Sequence, residues 1–199
     1  MVKLSKDLLL KQNGDLQEYI REQDNRVDLL NREISLYISE SIDSENEDLP
    51  KKAYRMILFA SDLESVADVV DKNILELARK KHSLKVDFSS QGWSEINEIH
   101  ENVVKIVSLS LSCFQLADKE LASKVVFHKR QLRKLEKKFR EAHIERLAGG
   151  EKDSIKTSSI HLDLLSDYRR IVGLTANHAY YYLKEGDKYN ILPRREDVR

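Results

Sequence analysis

The sequence holds one cysteine, two prolines and six glycines among 199 residues. A single cysteine, Cys113, excludes an internal disulfide and any zinc site built on cysteine pairs. Its neighbours in IVSLSLSCF are apolar or small, which predicts a buried, inert thiol. So little proline and glycine argues against a strand-rich chain, which needs frequent turns. Neither charge is in excess: 34 basic and 34 acidic side chains cancel, so no global field gathers nucleic acid or another polyion. No stretch approaches the roughly 20 apolar residues of a membrane helix. The three-leucine run in MVKLSKDLLLKQNG is too short for a secretory signal. Glycine-rich phosphate loops and a nucleophile elbow are missing, as is the di-iron Glu-x-x-His signature, and HENVV lacks the second histidine of a zinc protease. These absences leave a non-enzymatic reading.

What remains is charge, at 34% of residues, and apolar side chains at helical spacing. Leu16, Ile20, Val27, Leu30, Ile34 and Tyr37 mark a first helix over about residues 4–42. DSENEDLP breaks it, and Pro50 suits the first turn of a second helix that fades near Lys81. SSQGW restarts the chain, and a third helix turns Trp93, Ile96, Val103, Val107, Ser110, Phe114 and Ala117 inward. VSLSLS inside it alternates like a strand, but the helical spacing continues on both sides. A fourth helix, about 118–147, carries Leu121, Val125, His128, Leu132, Leu135 and Phe139 and stops at Gly149-Gly150. A fifth runs from near Ser154 to Tyr182 or Leu183, before a loosely ordered charged tail.

The helices repeat at an offset of 105 residues. Val27, Leu30 and Ile34 become Leu132, Leu135 and Phe139; Asp48 becomes Asp153; Phe59-Ala60-Ser61-Asp62 becomes Leu164-Leu165-Ser166-Asp167. The third helix precedes the second copy, while almost no sequence is available for its counterpart before residue 12. The expected architecture is therefore all-α, with tandem antiparallel three-helix bundles, the first lacking its upstream helix in this chain. Either the chain is a fragment of a longer one or the repeat lost that helix. The expected divisions are residues 1–88, 89–184 and a tail of 185–199.

Acids flank the apolar stripes. Glu64, Asp68 and Asp71 lie on one shoulder of the second helix, in SDLESVADVVDKNILEL, and Asp24 and Asp28 on a shoulder of the first. The acid-x-x-x-acid spacing puts two carboxylates one turn apart on a single face. If the shoulders meet, Asp24, Asp28, Glu64 and Asp68 converge as an oxygen-only ligand set for a divalent or iron cation. A solvated acidic shoulder explains the same pattern, since pairs such as Glu18/Glu22 and Glu141/Glu145 arise freely and each costs only about 0.2–0.5 kcal/mol. The offset turns the four positions into Lys129, Arg133, Arg169 and Gly173, so any cation site belongs to the first copy. Lys129, Arg133 and Arg169 could hold an anion, or line a charged surface. Arg130, Arg133, Lys134 and Lys137 could likewise touch anionic lipid or an acidic partner, or form a plain solvated face. No interleaved aromatics support nucleic-acid binding. His161 with Asp163 and Asp167 could be a ligand cluster; a helix-start cap and surface acids explain them equally well.

ASDLESVADVVDKNILELA resembles the signature helix of PhoU-type domains, and EQDNRVDLLNREISLYI resembles the acidic helix that partners it. IHLDLLSDYRRIVGLTANHAYYYL is similar to the final helix of the PhoU-like region that follows the membrane part of bacterial sodium/phosphate cotransporters. The resemblance covers about residues 12–184. It implies two tandem three-helix bundles, a metal motif at Asp24, Asp28, Glu64 and Asp68, and regulation of phosphate uptake. The implied place is the cytoplasmic face of the inner membrane, with the membrane part of the same transporter as partner. A free-standing accessory protein acting on a separate transporter or sensor kinase is the second reading. A ligand-free helical interaction module, with Tyr180, Tyr181 and Tyr182 as a partner surface, is the third. Homodimerisation is compatible with all three.

Overall fold

The computed structural model describes residues 1–41 and 49–186, and every regular element in them is helical. After a 3-10 turn at Val2–Leu4 come α1 (Asp7–Leu10), α2 (Gly14–Ser41) and α3 (Leu49–Asp68). A π-helical segment (Val69–Ile74) leads into α4 (Leu75–Leu84). Next are α5 (Ser90–Leu116), α6 (Lys119–Ala148), α7 (Lys152–Thr175) and α8 (Ala179–Gly186). Most of the DSENEDLP linker and nearly all of the tail lie outside the described residues.

Local chemistry sets the ends. Ser89 caps α5 by accepting from the Gly92 amide at 3.2 Å, and Asp118 caps α6 by accepting from the Leu121 amide at 2.7 Å. Ala117 ends α5 in a left-handed conformation, so it caps the helix instead of facing inward, and it is exposed. The alternating VSLSLS is helical, as its flanking spacing required.

Two breaks were not expected. The first helix is interrupted at residues 11–13, where Lys11 is extended and Asn13 Oδ1 accepts from the Leu16 amide at 3.1 Å, making a new N-cap. The last helix breaks after Thr175. Asn177 there reaches Asp62 at 3.5 Å, and the His178 ring nitrogen meets the Ser110 carbonyl at 2.9 Å. Both side chains anchor the turn to neighbouring helices.

α5 packs along α6 and α7, α2 along α3, and α3 crosses α7. Val66, Val70, Ile74, Ile99, Val103, Ile160, Leu164 and Tyr168 belong to one buried cluster shared by the two copies. A smaller one joins Cys113, Val125 and Ala179, and burial pushes the Cys113 thiol up to about 11. The crossing is bridged twice, by repeat-related acids: Asn73 donates to Asp167 at 2.9 Å and Asn177 to Asp62.

The copies differ in cover. Phe139 is 4% exposed, while its counterpart Ile34 is 37% exposed and Leu30 58%. Tyr37, expected inside, is exposed as well. α5 supplies the cover over the second copy; α1 packs on α4 and buries Leu8 and Leu9.

Candidate metal centre

α2 and α3 turn their acidic shoulders toward one another. Asp24, Asp28 and Asp68 each offer a carboxylate oxygen within 4.8 Å of the others. Asp24 is 6% exposed, Asp68 half-buried and Asp28 exposed. Glu64, one turn before Asp68, is not part of this convergence; its carboxylate accepts from Ser65 Oγ at 3.4 Å.

Asp71 acts on Asp24 through its charge but is not one of the three converging carboxylates. The π-helical segment begins directly after Asp68 and carries Asp71 and Lys72, and a π turn shifts the helical register by about one residue. Lys72 Nζ donates to Asp68 Oδ1 in a charge-assisted pair. Burial, then the charges of Asp71, Asp28 and Asp68, push the Asp24 carboxyl up to about 6, with Lys72 opposing.

The donor set suits a cation. Buried oxygens Oδ1 of Asp24 and Oδ1 of Asp71 have no hydrogen-bond partner, and an unpaired buried acceptor is costly. Carboxylate-only ligation at these oxygens fits a hard divalent ion or iron, and offers nothing to a metal that demands sulfur or imidazole.

The second copy closes the equivalent groove on itself. Lys129 Nζ lies 3.5 Å from the Gly173 carbonyl, the repeat-related image of the Asp24–Asp68 approach, and 5.1 Å from the Tyr180 ring centroid. Arg169 lies 3.6 Å from the buried carboxylate of Glu136, which also holds Arg140, and Arg133 is exposed. Among the described contacts none joins Lys129, Arg133 and Arg169. Arg130, Lys134 and Lys137 are exposed along α6.

A second polar cluster was missed from sequence. Glu95, 1% exposed, is held by both terminal nitrogens of Arg146 at 2.7 Å each, and its Oε2 lies 3.2 Å from His161 Nε2. His161 is thus a buried member of this cluster, not a helix-start cap, and stacks on His143 at 4.6 Å. Asp167 is buried too, while Asp163 is exposed. Burial alone would raise Glu95, but His161 and Arg146 overcome it and hold the carboxyl at about 2. Burial, then His161 and Arg146, lower His143 to about 4. Glu95 and Arg146 answer one another as in a structural ion pair, while Nδ1 of His161 is buried without a hydrogen-bond partner.

The comparisons agree with this architecture. The model of the PhoU domain matches residues 1–78 and 96–181. The protein named "Putative inorganic phosphate export protein YjbB" from Escherichia coli (strain K12) is 28% identical over 170 residues, 85% of this chain and 31% of that protein. The protein of the same name from Salmonella typhimurium gives the same identity and coverage. The chain thus spans about a third of the length of these curated relatives. PhoU from Pseudomonas aeruginosa superposes with a TM-score of 0.74 at 18% identity, covering 94% of this chain and 89% of that one. The phosphate transport system regulatory protein PhoU from Streptococcus pneumoniae does so at 0.74 and 13%, covering 96% and 91%. No described helix is long and apolar enough to cross a membrane. Two matches of one model, over most of the chain and in tandem, place this protein in the PhoU domain family.

Proposed function

We propose that this chain is a regulatory domain of phosphate transport whose first copy senses a divalent or iron cation at Asp24, Asp28 and Asp68, with the charge of Asp71 beside them. The supporting observation is the buried, unpartnered Oδ1 of Asp24 among converging carboxylates. The residues belong to two helices, so a shared ion draws α2 toward α3 and the π segment. The ion itself supplies positive charge and fixed ligand geometry. The domain works by binding, without catalysis, at the cytoplasmic face of the inner membrane. Its two units are residues 1–88 and 89–184.

The partner in this reading is the membrane part of the same sodium-coupled transporter. Relatives about three times as long, both bearing the name "Putative inorganic phosphate export protein YjbB", support a larger whole. A free-standing accessory protein is the second reading, favoured by the near-complete coverage of the two PhoU structures. Metal content of tag-free protein, measured by mass spectrometry beside Asp24→Asn/Asp68→Asn, tests the site. Stoichiometric metal lost in the variant is expected. Phosphate flux in cells carrying the variant in the intact gene tests the role; unchanged flux and unchanged control by phosphate would overturn it.

A further inference from the structure

Lys72 stands between two sets of acids. On one side its Nζ bonds Asp68 and faces Asp24 and Asp28. On the other it lines a cavity of about 310 Å³ with Glu76, Asp163 and Asp167, between the π segment, α4 and α7, where the one further cation in the lining, Lys80, donates to Ser159 Oγ at 3.1 Å. Its side chain is more than half exposed and therefore free to swing. Asn73, the next residue, is bonded to Asp167 across the same crossing.

Resting on the metal reading above, we propose that Lys72 is the specificity-determining residue of the acidic cluster: its ammonium holds the cation position, and only an ion of charge two or more displaces it. A tethered ammonium acts at an effective concentration of about millimolar or higher, with no translational entropy left to lose. A sodium or potassium ion would exchange one charge for one and gain nothing. A divalent ion doubles the attraction to every carboxylate and prevails. The displaced ammonium then moves to Glu76, Asp163 and Asp167 in the cavity. Ion occupancy on α2 and α3 is thereby felt at α7, in the second copy.

Manganese binding by the full chain, followed by competition with a chelating dye, tests this in wild type, Lys72→Met and Lys72→Arg. Circular dichroism establishes that each is folded. Removing one positive charge beside a divalent ion is expected to tighten binding about tenfold in Lys72→Met. Lys72→Arg keeps the charge and stays within about twofold of wild type. Exchanging choline for sodium at constant ionic strength weakens manganese binding by Lys72→Met and leaves wild type unchanged. Equal manganese affinity in wild type and Lys72→Met would overturn the role of Lys72 and leave the metal site standing. No binding by any of the three would overturn both.

Discussion

Replacing Asp24 with Asn should make the metal-free protein more stable at neutral pH. Asp24 is buried, and its carboxyl is raised from 3.8 to about 6 by that burial and by Asp71, Asp28 and Asp68. A raised acid means the folded chain holds this proton more tightly than the unfolded one. Its contribution is therefore favourable below pH 3.8, fades as the pH climbs toward 6, and becomes a full penalty above 6. About two pH units at ~1.4 kcal/mol each give a penalty of about 2–3 kcal/mol at pH 8. Asn keeps the neutral form at every pH and avoids that penalty. For a chain of this length about 2–4 °C in Tm per kcal/mol applies, so Asp24→Asn should melt about 5–10 °C higher at pH 8 in chelator, and level with wild type near pH 4. Circular dichroism melts at low salt measure both. Saturating manganese should invert the order, stabilising wild type only. A variant that melts at or below the wild-type temperature at pH 8 in chelator would refute the electrostatic reasoning, because Asp24 would then have a partner.

The Glu95 cluster gives the opposite pH sign. Its carboxyl is held near 2, so its stabilisation is present above pH 4.5 and is lost as the pH falls toward 2. Glu95→Gln leaves Arg146 uncompensated in the interior and should cost about 3–5 kcal/mol in urea unfolding at pH 7, much less at pH 3; a loss under 1 kcal/mol would show that the pair does not hold the fold. The repeat supplies an internal control on burial. Phe139→Ala should cost about 3–5 kcal/mol and the register-equivalent Ile34→Ala under about 1 kcal/mol, by chemical denaturation; equal losses would mean that the Ile34 face is covered in solution.

The helical fold was readable because its evidence is periodic and redundant. The stripe of α6, from Leu121 through Phe139, and its Asp118 start need only local spacing and a capping carboxylate. The repeat was readable for the same reason, and the identical Ser-Asp pairs prove to be the bridged acids of the α3–α7 crossing. The breaks at Asn13 and Asn177 were not, because a side chain replaces backbone bonds there and the apolar spacing runs on unaltered. The site was half legible. Asp24, Asp28 and Asp68 lay on facing shoulders of ideal helices, but which acids of one shoulder come within reach depends on how two helices pack, and spacing along one helix does not show that Glu64 falls outside the group. The Glu95–Arg146–His161 cluster draws on three helices at separations of 51 and 66 residues, and no local pattern announces such a meeting.

The bare stripe on α2 bears on the acids in a further way. α2 rests chiefly on α3 and the π segment, and the carboxylates that repel one another are divided across that joint. Asp24 and Asp28 are thus mounted on a helix whose stripe is open at Leu30 and Ile34. On the proposed reading an ion at this seam would act as a clasp: backbone amides of α2 would exchange with solvent slowly when it is shut and quickly when it is open. Any surface that settles on Leu30 and Ile34 would press the same joint closed from outside, so covering that stripe and filling the site are two ways of performing one act.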